Sequence, residues 1–267
     1  MKRAISNAAT AILKRIPPPL QAILLRKAIA ISNDRVKFEN RQVVMLGSIA
    51  NLRVAGFSPG SIIDIGANVG EWARNVGSIF PEASIRMVEA QPELSDALTA
   101  TMHHLGERAS YEIALLGAQP VNEVSFYKIG TGSSVMEEVT NIDKEVVTLP
   151  MRRLDDLDVV KNLNGPVFLK LDVQGYELEV LKGAGAILVD AEVVLMEVSL
   201  LPYNKGAPLM PEVVAFMNER SFYPYDICGQ LRRVSDRALF QIDMIFVRKD
   251  SALRQHRRFS MFEPEGA

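Results

Sequence analysis

A chain of 267 residues, 48% hydrophobic and 23% charged, is long enough for one sizeable α/β domain with an appendage, or for two small domains. Its net charge of −2 gives no global argument for nucleic-acid binding, which usually requires a basic face, and no run approaches the roughly 18 apolar residues of a membrane span. The single cysteine, Cys228, excludes an internal disulfide and a cysteine-rich zinc site and suits a reducing, cytoplasmic compartment.

Met1-Lys2-Arg3 and the residues after it superficially match a secretion signal. Ser6, Asn7 and Thr10 dilute the apolar part and Lys14-Arg15 follow at once, so none is expected. Ala8, Ile12, Leu13 and Ile16 share one helical face that Pro17-Pro18-Pro19 ends, and a second apolar helix is expected over Leu20–Ile31. Lysine and arginine dominate this segment. That suits a solvated helical cap packed on the domain or on another subunit of a homo-oligomer, with weak membrane-surface contact as the functional alternative. A helix over Gln42–Ala55 and a turn over Gly56–Gly60 lead into the first strand. The division expected is a helical segment over residues 1–57, a main domain over 58–250 and a polar tail over 251–267.

From Ser61 the pattern alternates as a doubly wound sheet should. Ser61–Ile65 reads as a buried strand, and Gly66–Gly70 as a tight turn into a helix over Glu71–Ile79. Ser84–Val88 is the second strand, Pro92–Leu105 a helix carrying His103 and His104 on its surface, and Ser110–Leu115 the third strand. Two extended pieces, Glu123–Ile129 and Glu145–Met151, flank a loop holding Ser133-Ser134, which is placed to cover a ligand. Pro166–Asp172 is a strongly apolar strand followed by a turn and a helix from Glu177 to Lys182. Val193–Val198 is another buried strand, Pro211–Glu219 a helix, and Phe222–Ile227 with Asp243–Arg248 a terminal antiparallel hairpin. The fold class expected is α/β, with a mostly parallel Rossmann-like sheet.

In such a sheet ligands collect outside the carboxyl ends of the strands. Those ends supply Asp64, Glu89, the Glu112–Leu115 region, Asp172 and Glu197. Glu89 lies 19 positions after Gly70, where a carboxylate can accept both hydroxyls of a ribose. The glycine series runs Asp64-x-Gly66-x-Asn68-x-Gly70, with an acid where a dinucleotide fingerprint has its first glycine. An acid there disfavours a pyrophosphate, and with it a nicotinamide-dependent oxidoreductase, and favours a ligand carrying positive charge.

This spacing resembles motif I of the class I S-adenosylmethionine-dependent methyltransferases. The stretch Phe168-Leu169-Lys170-Leu171-Asp172-Val173-Gln174-Gly175-Tyr176-Glu177, continued by Leu181-Lys182-Gly183-Ala184, resembles the signature of the FkbM family. So does the pairing of Asp64–Gly70 upstream with Met196-Glu197-Val198 downstream. The resemblance covers about residues 58–250, and Gln174 stands where many versions carry Glu. It implies an O-methyltransferase using S-adenosyl-L-methionine and acting on a hydroxyl of a sugar, glycan or related natural product. Asp64, Gly66, Asn68 and Gly70 would shape the methionine side, Glu89 the ribose, and Ile113 and Ala114 the adenine. Asp172 is the first candidate for general base, with Glu197 and Lys170 beside it; a helix-capping role is the alternative for Asp172. Asp172 and its neighbours have the oxygen chemistry for Mg²⁺, but no metal site is assigned, and the histidines lack zinc-ligand spacing. A noncatalytic binding module is the remaining alternative.

Overall fold

The computed structural model describes residues 41–139 and 143–255. The two helices expected before residue 41, their basic face and most of the polar tail lie outside the described residues. The chain divides into two compact units, one ending at Val44 and one beginning at Met45, and both sheets belong to the second.

Among the described residues, ten strands form two sheets. The larger has the order β3-β2-β1-β7-β8-β10-β9: β1 (Ser61–Ile65), β2 (Ser84–Glu89), β3 (Ala109–Ile113), β7 (Val167–Leu171), β8 (Ala191–Ser199), β9 (Phe222–Arg232) and β10 (Leu239–Arg248). Its first five strands pair in parallel, and β10 enters antiparallel between β8 and β9. A mostly parallel sheet with a terminal antiparallel hairpin is thus present, although β9 and β10 run several residues longer than expected. The smaller sheet, β4 (Leu115–Leu116), β6 (Glu145–Arg152) and β5 (Val121–Lys128), was not anticipated as a separate layer. It forms because β3 ends at Ile113, and β4 then pairs with β6 instead of continuing the main ladder.

Side chains alternate across each strand, so a strand buried on both faces contributes to two cores. Ile62, Phe168 and Val193 face one core, with Ile49 and Leu52 from the helix that ends at residue 54 (α1) and with Ala73, Val76 and Leu98 from α2 (Glu71–Ile79) and α3 (Ser95–Leu105). Ile63, Leu169 and Val194 face the other, against α4 (Glu177–Lys182), α5 (Gly185–Asp190) and α6 (Met210–Glu219). Helix α5 was not foreseen; Gly183 ends α4 as expected, but the chain coils again after one further residue. Among the described residues no helix is long and apolar enough to cross a membrane.

Phe168 is the hub of the first core. Fully buried on β7, it meets Phe57, Trp72 and Phe80 edge-to-face at centroid distances of 6.0, 5.7 and 6.4 Å. Truncating it leaves a ring-sized void between strand and helices. Phe168→Ala should lower the free energy of unfolding by about 3–5 kcal/mol in urea titrations; a loss under about 1 kcal/mol would show that the aromatic cluster repacks around the void.

Candidate active site

The alternation that divides the core also sorts the polar residues. On the face that carries Ile62, Met87, Phe168, Leu195 and Ile245, the next positions along each strand toward one sheet edge are Asp64 on β1, Glu89 on β2, Lys170 on β7 and Glu197 on β8. Asp243 and Gln241 join from β10, which runs the other way. Every one of these six side chains is buried. Their shared face is a consequence of the two-residue period and the parallel register.

Asp64 and Lys170 are direct neighbours in the β1–β7 register, and the Lys170 ammonium lies 2.9 Å from Asp64 Oδ1. It also donates to the main-chain oxygen of Gly66 at 3.0 Å and sits 5.7 Å from the centre of the Trp72 ring. Burial works against this ammonium, but Asp64, Asp172 and Glu197 outweigh it and hold its pKa above the ordinary lysine range. Burial also pushes the Asp64 carboxyl upward, with Lys170 opposing it. Asp64 is thus buried and paired with Lys170 through Oδ1, and apart from that ion pair its oxygens have no hydrogen-bond partner among the described residues.

The turn after β1 is left-handed at Gly66 (φ 71°), Asn68 (φ 51°) and Gly70 (φ 73°). A Cβ at Gly66 would overlap the main-chain oxygen of Asp172, because Asp172 N–H donates to Ile65 O and draws the two turns together. Gly70 opens α2 with no side-chain cap, leaving that helix N-terminus at the sheet edge. Glu89 faces the same turn. Its Oε2 accepts from Asn68 N–H at 2.8 Å and its Oε1 from Ala90 N–H at 2.9 Å and Gln91 N–H at 3.0 Å. Main-chain donors on both oxygens fix the carboxylate's direction. Ile113 ends the neighbouring strand and Ala114 follows it, its N–H donating to Glu89 O at 2.8 Å; Ala114 is buried and Ile113 partly so. Glu112 does not join the group: Arg152 and the Val159 N–H hold its carboxylate.

The turn after β7 is built more densely. Asp172 lies 3.7 Å from Lys170 through Oδ2 and accepts from Gln174 Nε2 at 2.8 Å through Oδ1, so its place in the site is more than that of a helix cap. Gln174 Nε2 also donates to Glu197 Oε2 at 2.6 Å, and Gln241 Nε2 reaches the same oxygen at 2.6 Å. Glu177 turns back into the turn and accepts from Val173 N–H and Gly175 N–H. Ser134 seals it from above, donating to Val173 O and Gln174 O at 3.1 and 3.0 Å, while Asn204 Nδ2 donates to Gln174 O at 2.6 Å. Ser133 reaches the other way, to Gln91 Oε1 at 3.4 Å. Burial first, then Glu138, pushes the Tyr203 hydroxyl beside this loop up to about 12.

The sequence-expected residues thus fall into two connected groups: Asp64, Lys170, Asp172 and Glu197 around the lysine, and Asn68 with Glu89 one strand over. Gln91, Asn204, Gln241 and Asp243 were missed. Gln241 and Asp243 did leave a signal, since they are the two polar positions, spaced by two, inside the apolar run Leu239–Val247. His103 and His104 lie exposed in the last turn of α3. Among the described residues no three His, Cys, Asp or Glu side chains converge as a metal-ligand set.

The family model for the methyltransferase FkbM domain matches residues 64–224, more than half of the chain and every residue of the two turns. The chain belongs to the FkbM methyltransferase family. As a methyltransferase it has structural relatives of low sequence similarity. One is a precorrin-6y C5,15-methyltransferase from Geobacter metallireducens, at 14% identity over 79% of this chain and 88% of that one, with a TM-score of 0.44. Magnesium protoporphyrin IX methyltransferase from Synechocystis, solved with bound SAM, aligns at 11% identity over 78% and 79%, with a TM-score of 0.43. The 1,6-didemethyltoxoflavin-N1-methyltransferase from Burkholderia thailandensis aligns at 13% over 88% and 92%, with a TM-score of 0.40. No curated protein matches the FkbM chain.

Glu177 gives this methyltransferase a measurable pH signature. Burial raises its carboxyl from 4.5 to about 7, against the lowering pull of its main-chain donors, its own N–H and those of Gly175 and Val173. As pH rises, the unfolded chain loses this proton first, so the group's stabilising contribution is complete below 4.5 and is lost between 4.5 and about 7. Glu177→Gln removes that loss. Its stability relative to the parent should climb across this window with a slope approaching about 1.4 kcal/mol per pH unit. Urea titrations at several pH values check this, and parallel curves for parent and variant would refute it.

Proposed function

We propose that this FkbM methyltransferase transfers a methyl group from S-adenosylmethionine to a hydroxyl of a sugar, glycan or related natural product in the cytoplasm, with Asp172 as general base. One observation carries it. Of the carboxylates gathered at the sheet edge, Asp64, Glu89, Glu177 and Glu197 are buried, whereas the Asp172 side chain is 38% exposed. Asp172 is therefore the most accessible carboxylate of the group to an acceptor hydroxyl.

The donor set fits the cofactor. Glu89 Oε1 is taken by Ala90 and Gln91, whereas Oε2 accepts only from Asn68 N–H, and its remaining lone pair suits a ribose hydroxyl. Gly66, Asn68 and Gly70 bring main chain rather than side chains to the methionine end, and Asp64 acts there indirectly by fixing Lys170 under the Gly66 carbonyl. Ile113 and Ala114 supply an apolar surface for the adenine beside Glu89. When bound, the cofactor supplies an electrophilic methyl on a sulfonium. The chain orients the acceptor oxygen in line with it, which by itself contributes much of the acceleration. Asp172 takes the hydroxyl proton as the oxygen commits, worth about 10²–10⁴-fold. Lys170 and Gln174 keep the carboxylate from swinging away.

Calorimetry should find binding of S-adenosylhomocysteine and none of NAD, with Glu89→Ala weakening the former by about 10–100-fold, the range expected for losing a charge-assisted contact. Labelled methyl transfer to a panel of sugars and glycans should fall by about 10²–10⁴-fold in Asp172→Asn, with cofactor binding retained. Transfer confined to nitrogen acceptors, or full activity in Asp172→Asn, would overturn the proposal.

A further inference from the structure

Gln174 has a conformation that its own backbone does not favour. Its φ is +55°, in the left-handed region where a side chain other than that of Gly or Asn costs energy. The surroundings hold it there: Ser134 and Asn204 both donate to its main-chain oxygen, and Gly175 follows at φ +97°. The effect is to send the amide back between Asp172 and Glu197, with Nε2 donating to Asp172 Oδ1 at 2.8 Å and Glu197 Oε2 at 2.6 Å. Ionised carboxylates only accept, so an amide between two of them has a single orientation that satisfies both.

We propose that Gln174 is a positioning residue for methyl transfer: its amide clamps Asp172 to Glu197, so that one oxygen of Asp172 is fixed inward and the carboxylate meets the acceptor hydroxyl in one orientation. This rests on Asp172 being the base. The clamp is anchored at its far end, because Glu197 Oε2 also accepts from Gln241 Nε2 and the β8–β10 register sets Glu197 opposite Asp243. It is also electrically neutral. Asp172 already has Lys170 from its own strand, Asp64 from β1 behind that lysine, Glu177 from α4 and Glu197 from β8 around it, with Glu138 and Tyr203 on the loops above. One ammonium faces several carboxylates, and the amide joins two of them without adding a charge. A carboxylate at position 174 would exchange two donated hydrogen bonds for like-charge repulsion, and both changes disfavour an ionised Asp172.

The test needs no acceptor. Carbon-13 titration of the side-chain carboxyls, in the full-length protein saturated with S-adenosylhomocysteine, follows Asp172 directly, its signal assigned by its loss in Asp172→Asn. Gln174→Glu should move the Asp172 midpoint upward by about one pH unit, and Gln174→Ala should move it upward by less, since that variant loses the donor without gaining a charge. Calorimetric affinity for S-adenosylhomocysteine, unchanged in both variants, shows that the fold and cofactor site survive, a pattern that simple loss of structure would not give. An unmoved midpoint in a Gln174→Glu protein that still binds S-adenosylhomocysteine overturns the clamp. Full methyl transfer by Asp172→Asn instead overturns the base assignment, and it does so whatever the titration shows.

Discussion

Asp64 and Lys170 sit side by side on the two central strands of the sheet, fully inside the protein, and they form the interaction on which the rest of the site depends. Removing either partner would leave an uncompensated charge in the interior, at a cost of about 3–5 kcal/mol. The pair endures because the lysine is satisfied several times over, by the Asp64 carboxylate, the Gly66 carbonyl and the nearby Asp172. It therefore ties together the last residues of β1, the first residue of the glycine turn and the end of β7. These are the points where the turn after β1 and the turn after β7 begin. A hydrophobic pair would fill the same space but would leave the two turns without a shared reference point.

From that pair two layers of hydrogen bonding spread outward. Below, main-chain donors pin Glu89 and Glu177 so that neither carboxylate wanders. Above, the loop that carries Ser133 and Ser134 spans both turns: one hydroxyl contacts Gln91, itself hydrogen-bonded to Glu89, and the other caps the carbonyls of Val173 and Gln174. Adjacent residues of an extended chain point in opposite directions, so two consecutive serines can serve two separate turns. The two turns are joined through this loop as well as through the sheet.

Much of this was legible in the chain itself, for a physical reason. Buried parallel strands are apolar nearly throughout, so a polar residue at the end of one, such as Asp64, Glu89, Asp172 or Glu197, stands out against its own strand, and its position fixes which edge it occupies. Lys170 was legible in the same way, as a charge between Leu169 and Leu171. What could not be read was direction and partner. Nothing local to Asp64 says that a lysine more than a hundred residues later will pair with it, since that depends on the register of β1 on β7. Gln174 looked like a loss of charge at its position and proved to be a bridge, because its role depends on a left-handed φ imposed by Ser134 and Asn204. The small sheet was missed because the polar-faced strands β5 and β6 carry no signal of which ladder they will join.

The balance of charge at the edge bears on turnover under the proposed chemistry. Lys170 is shared among Asp64, Asp172 and Glu197, so with these groups ionised the cluster holds an excess of negative charge. At an effective dielectric near 20, a unit charge about 4 Å away is worth on the order of 4 kcal/mol, so a sulfonium placed against this edge is favoured over the neutral thioether that remains after transfer. The same excess limits how many carboxylates the cluster can keep ionised, because each addition makes the next proton harder to lose. A neutral amide at position 174 answers both demands. It fixes two carboxylates by hydrogen bonds and adds no charge to the cluster.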